Sequence, residues 1–175
     1  MDKTIYLKYP WKIKHIALGL KYHLKTTPIY KLLNLFTKIA ATLTILSFFI
    51  RYVILSYNLD FGVIFDLVMI VFLLSCNRFI IYISLQTYQK SNYENQKLEW
   101  KINENNIYYE MENLYSINMS WNLIKGVLDT PSGFMLYPQQ NMFYWLPKKA
   151  FNNEEDIAHF VFIAKNNVKN WQQVK

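Results

Sequence analysis

The sequence predicts an α+β protein in two parts: an N-terminal two-helix transmembrane hairpin, then a small antiparallel sheet domain with a C-terminal helix. Three observations predict it. Two nearly uncharged apolar runs, 39–57 and 61–83, are separated by a few residues around Asn58, and each is long enough to cross a hydrocarbon core of ~30 Å. Eight lysines (Lys3, Lys8, Lys12, Lys14, Lys21, Lys25, Lys31 and Lys38) precede the first run, while the turn carries only Asp60. That asymmetry predicts an inner (cytoplasmic) membrane protein with multi-pass topology and both termini in the cytoplasm. Beyond residue 97 the apolar residues alternate with the period of strands, and near the C-terminus they change to the period of a helix.

Length and charge narrow the possibilities further. With two spans, a chain of 175 residues has room for one soluble module of ordinary size. The formal net charge of +7 could suggest nucleic acid, but no RNA- or DNA-binding motif accompanies it. The lysines lie just before a span, where anionic lipid attracts each cation by roughly 1 kcal/mol. The expected partners are therefore the lipid bilayer and its anionic headgroups, not nucleic acid. Cys76, the one cysteine, lies inside the second apolar run, so no intrachain disulfide is possible. Residues 1–28 lack an uninterrupted apolar core and a small-residue cleavage site, so the first span is expected to act as the targeting signal.

The first element is a short strand over 4–9, with Ile5, Leu7 and Tyr9 on one side and Pro10 ending it; so short a strand needs a partner. Over 11–25 the period becomes helical. Ile13, Ile16, Ala17, Leu20 and Leu24 form an apolar stripe, and Lys14, Lys21 and Lys25 gather opposite. This basic amphipathic helix lies either in the inner membrane interface or against the cytoplasmic domain. Thr26, Thr27 and Pro28 break it. The predicted divisions are a cytoplasmic basic amphipathic segment over 1–30, the transmembrane hairpin over 31–88, and a cytoplasmic domain over 98–175.

The second helix is expected to continue past Asn77 and Arg78 toward Tyr88, and the polar stretch 89–97 marks the domain boundary. Strands follow at Leu98, Trp100 and Ile102, at 107–111, and at Tyr115, Ile117, Met119 and Trp121. Pro131, Ser132 and Gly133 supply a turn before a strand over 134–137, and a break at 138–141 precedes another over 142–146. The last element is a helix capped by Asn153, with Glu154, Glu155 and Asp156 in its first turn where the dipole favours anions. Its stripe reads Ile157, Phe160, Val161, Ala164 and Val168, with Trp171 one turn later. The expected core joins Trp100, Ile102, Trp121, Val127, Leu136 and Leu146 to Phe160, Val161 and Ala164.

These residues carry a family resemblance. The strand around Trp100, Ser120-Trp121 with Ile124 and Val127 after it, and Leu146-Pro147-Lys148-Lys149-Ala150-Phe151 leading into the acidic-capped helix resemble the YcxB-like family of small bacterial membrane proteins. The resemblance implies two spans before a cytoplasmic domain related to the pleckstrin-homology-like (PH-like) barrels, and it brings no catalytic residues.

No residue pattern points to catalysis, a cofactor or a metal. His15, His23 and His159 are far apart, and the eight-residue step from His15 to His23 is not the spacing of a helical zinc pair. Ser120 and Ser132 have no neighbouring base, and four glycines in the chain do not make a phosphate loop. The candidate site is instead Arg51 and Asp66. A lone charge in lipid costs at least ~2.5 kcal/mol, and the two lie equally far from the turn, so an antiparallel hairpin puts them at similar depth. They form an intramembrane ion pair or contact a partner. Adjacent aromatics such as Tyr108-Tyr109 and Tyr144-Trp145 must face opposite sides of a strand, which leaves rings off the core face for an interface. The expected function is a non-enzymatic inner-membrane binding protein engaging a protein partner. One version is an immunity protein against a bacteriocin or delivered toxin; the alternative is an accessory or sensor subunit of a transporter or envelope complex.

Overall fold

The computed structural model describes residues 3–54, 61–89, 95–139 and 142–174. The chain divides into two units, Met1–Gly19 with Gln89–Lys175, and Leu20–Tyr88.

The first unit is the sheet domain. Strands β1 (Ile5–Pro10), β2 (Lys97–Ile102), β3 (Asn106–Met111) and β4 (Tyr115–Ser120) form an antiparallel sheet in the order β1-β2-β3-β4. The partner that so short a β1 requires is β2, paired from Ile5 opposite Ile102 to Pro10 opposite Lys97. Ile5, Leu7 and Tyr9 are buried beside Ile102, Trp100 and Leu98, so the period-two alternation of both strands meets on one face. Between β2 and β3, the Asn103 side-chain oxygen accepts from the backbone N–H groups of Asn105 (3.0 Å) and Asn106 (2.8 Å), which closes the turn.

A second sheet contains β5 (Gly126–Asp129), β6 (Gly133–Gln139), β7 (Met142–Pro147) and β8 (Asn170–Gln173), in the order β7-β6-β5-β8. Helix α4 (Glu154–Asn167) begins as expected, with the Asn153 side chain accepting from the Asp156 N–H at 2.8 Å. One core draws on both sheets and α4: Trp100, Ile102, Trp121, Val127, Leu136, Leu146, Phe160 and Ala164 are all buried in it. Val161 lies at its margin, half-buried, and Ile163 is buried instead.

The structure differs from the periodicity reading at four places. Residues 126–129 form a strand that no alternation announced, because Val127, Leu128 and Asp129 are all buried and both faces of β5 are covered. Strand β6 runs through Pro138, and the ladder absorbs it by a register shift between Leu136 and Gln139. Strand β4 stops at Ser120; Trp121 opens a single 3₁₀ turn and donates its indole N–H to the Asn103 carbonyl at 2.8 Å. Trp171 does not continue the helix. Val168 is already extended, and β8 pairs in parallel with β5, with Trp171 opposite Val127. Its ring lies 6.2 Å from that of Phe134, so the helical spacing after Val168 was coincidental.

The second unit is helical. α1 (Ile13–Thr26) passes from the first unit into it, and the extended residue Thr27 and then Pro28 separate α1 from α2 (Pro28–Phe49). α2 leads into one wide π-helical turn, Ile50–Ile54, and α3 spans Phe61–Gln89. Pro28–Ile54 is the helix, among the described residues, that is long and apolar enough to cross a membrane; only 6% of its apolar stretch is buried. It starts well before residue 39, because Lys31 and Lys38 are helical too. Its threonine hydroxyls are satisfied within the helix: Thr37 donates to the Asn34 carbonyl (3.1 Å), Thr42 to that of Lys38 (3.0 Å) and Thr44 to that of Ala40 (2.9 Å). Within α3 the apolar stretch among the described residues is Phe61–Cys76, which is shorter, so one helix of spanning length is found among them. The turn around Asn58 lies outside the described residues.

Candidate functional site

A cavity of about 520 Å³ opens in the sheet domain between the end of β1, the first turns of α1, the β5–β6 turn and the end of β7. Its geometry follows from local rules. Pro10 ends β1, and α1 begins at Ile13 with Lys12, Lys14, His15 and Leu18 along the cavity wall. The opposite wall is the tight turn at Pro131 and Ser132, where the Thr130 hydroxyl donates to the Gly133 carbonyl (2.6 Å) and accepts from its N–H (3.1 Å). The Lys148 N–H donates to the Ser132 carbonyl at 3.1 Å, which holds the Lys148–Ala150 turn against it. Across the floor, the Tyr9 hydroxyl donates to the Trp145 carbonyl at 2.5 Å. Burial pushes that phenol well above its ordinary pKa, so it remains a donor at any physiological pH.

Among the described residues, five lysines, Lys8, Lys12, Lys14, Lys148 and Lys149, line this cavity, and no carboxylate does. Two of them are neutralised from outside it. Lys8 pairs with Glu99, and Lys148 lies 2.7 Å from the Asp129 carboxylate and 4.8 Å from the centre of the Phe134 ring. Lys12, Lys14 and Lys149 have no acidic partner among the described residues. His15 sits among them with its Nδ1 buried and without a hydrogen-bond partner, its ring edge-on to that of Tyr9 at 5.6 Å. Burial first, then Lys14 and Lys12, hold its pKa below the ordinary value of 6.5, so the imidazole is neutral at pH 7.

This has a pH consequence of definite sign. Because the unfolded chain binds a proton at His15 more readily than the folded one, the contribution is fully present above about pH 6.5 and is lost as pH falls below it. His23, whose pKa is also lowered by burial, acts in the same direction. The full-length protein in neutral detergent should therefore melt at a lower temperature at pH 5.5 than at pH 7.5, and His15→Gln should shrink that difference. An undiminished difference in the variant would remove His15 from the explanation.

The residues singled out in the sequence lie in the helical unit. Arg51 is exposed in the π-helical turn. Asp66 is half-buried in α3, with one carboxylate oxygen buried and lacking a hydrogen-bond partner. Among the described residues no ion pair joins them, and residues 55–60, which would set their relative depth, lie outside the described residues. The basic cavity itself was not read from the sequence. In the sequence Lys14 belongs to the polar face of a helix, and Lys148 and Lys149 to a segment more than 130 residues away. The available signal was the short alternation of β1, which demanded a partner strand somewhere in the chain.

A domain of two four-stranded sheets sharing a core with a C-terminal helix, in a chain that also carries one exposed apolar helix of spanning length, defines a small α+β protein with a membrane-helix candidate near its N-terminus. Residues 102–161 match the sequence model of the YcxB-like protein family, which covers β3 to β7 and the first half of α4. The resemblance carried by Ser120-Trp121 and 146–151 is thus a family match over that segment. No curated protein and no solved structure matches the chain.

Proposed function

We propose that this is a non-enzymatic, membrane-anchored binding protein of the bacterial inner membrane, in which the apolar helices form a two-span hairpin and the sheet domain faces the cytoplasm. One observation carries the reading: the apolar side chains of Pro28–Ile54 are left exposed, with 6% of the stretch buried, which water does not tolerate over such a length. The lysines that precede it support an inward N-terminus. Two sheets sharing one core with a helix support a PH-like architecture for the domain. In this reading Arg51 and Asp66 are intramembrane charges available to each other or to a transmembrane partner, and the basic cavity is the ligand-facing part of the domain.

The test is membrane extraction followed by accessibility labelling. The protein should stay in the pellet after an alkaline carbonate wash. In a Cys76→Ser background, a cysteine at position 59 should react with an impermeant reagent in intact cells, and one at position 174 should not. Release by carbonate overturns the anchor, and labelling at 174 overturns the topology.

A further inference from the structure

We propose that the basic cavity binds a phosphate-bearing anion, held by Lys12, Lys14 and Lys149, with Leu18, Pro131 and Trp145 against the less polar part of the ligand. This rests on reading the sheet domain as a binding module and names the chemistry that module recognises. The cavity volume of about 520 Å³ falls in the range of small-ligand sites, roughly 300–1,000 Å³. Its charge is the decisive feature. Lys8 and Lys148 are matched by Glu99 and Asp129, so the domain supplies counter-charges where the cavity's frame needs them. Among the described residues it supplies none to Lys12, Lys14 and Lys149, and like charges lining one cavity repel until an anion enters.

Three lysines lining one cavity from two segments suit a group with several charged oxygens better than a single carboxylate, and lysine binds phosphate as a point charge. Ser132 lies on the same lining and carries a neutral donor. The phosphate can belong to a lipid headgroup or to a soluble ligand. In chain order the apolar helix begins at Pro28, ten residues after Leu18.

Purified full-length protein in a neutral maltoside detergent would be titrated calorimetrically with pyrophosphate, with dihexanoyl phosphatidylglycerol and, as a zwitterionic control, with dihexanoyl phosphatidylcholine. Saturable binding of either anion, with much weaker response to the zwitterion, is the expected result. Phosphatidylglycerol binding without pyrophosphate binding identifies a headgroup as the source, and the reverse identifies a soluble phosphate. Lys12→Gln, Lys14→Gln and Lys149→Gln together should weaken binding at least tenfold. The control triple Lys21→Gln, Lys25→Gln and Lys169→Gln, with the same loss of charge outside the cavity, should change it less than threefold. Should the first triple melt early, the single Lys149→Glu reversal at an exposed position takes its place. Equal weakening by both triples, no saturable binding of either anion, or equal binding of the zwitterion overturns the proposal. The outcome is separable from that of membrane extraction: a carbonate-soluble protein that binds pyrophosphate keeps this site and loses its anchor, and an integral protein that binds neither anion does the opposite.

Discussion

Phe160→Ala should destabilise the sheet domain by about 3–5 kcal/mol, the usual range for truncating a buried phenylalanine. Phe160 has no solvent exposure, and its ring lies 4.6 Å from that of Phe134, 5.6 Å from Phe151 and 6.2 Å from Trp121. These neighbours come from the second sheet, from the turn before α4 and from the turn after β4, so the cavity left behind cannot close by moving one of them. Such a loss is a large part of the ~5–15 kcal/mol that stabilises an ordinary domain. Denaturant unfolding of the full-length protein in detergent, followed by tryptophan fluorescence, would show a strongly lowered midpoint or no cooperative transition. Phe162→Ala, two residues on and 58% exposed, should move the midpoint by no more than about 0.5 kcal/mol. A midpoint for Phe160→Ala equal to the wild type would mean that α4 does not close the core with this face.

Gly133→Ala comes next, with an expected cost of about 1–3 kcal/mol or somewhat more. The reason is space, not backbone conformation. A Cβ at Gly133 would lie 2.5 Å from the Leu146 carbonyl oxygen and 2.8 Å from the Trp145 ring. The carbonyl belongs to β7, paired with β6 from Gly133 opposite Pro147 onward, so it cannot retreat without opening the ladder. The Thr130 hydroxyl, held by Gly133 from both sides, would shift as well. Gly126→Ala is the internal comparison: its nearest neighbour would be the Asn170 carbonyl at 3.2 Å, a milder approach near the end of the chain. Equal melting temperatures for Gly133→Ala and the wild type would show that the β6–β7 junction yields more easily than this geometry allows.

Both predictions sit on features of unequal legibility. Phe160 was readable, because a capped helix with a 3.6-residue apolar stripe declares its inner face from its own residues. The requirement for glycine at 133 was not, since the obstructing atoms belong to Trp145 and Leu146 on another strand. The same division runs through the fold. The alternations of β2 and β3, the Asn103 turn, the Thr27–Pro28 break and the Asn153 cap are each set by neighbours a few residues away. Strand β5 is not legible because burial on both faces erases alternation, and β8 is not because a four-residue strand after a helix carries no period of its own.

Local sequence thus determined the apolar helices, the lysine bias ahead of them, the end of the last helix that carries the cap and the existence of most strands. Tertiary structure alone decided which strand completes the first sheet and where the charge gathers. β1 finds β2 across the whole helical unit, and Lys8 meets Glu99 across a separation of 91 residues. Lys12 and Lys14 come to line one cavity with Lys149 for the same reason. Periodicity records only how a residue relates to its near neighbours in the chain. The pairing of distant segments is set by which apolar faces bury one another, and the placement of distant charges follows from that burial.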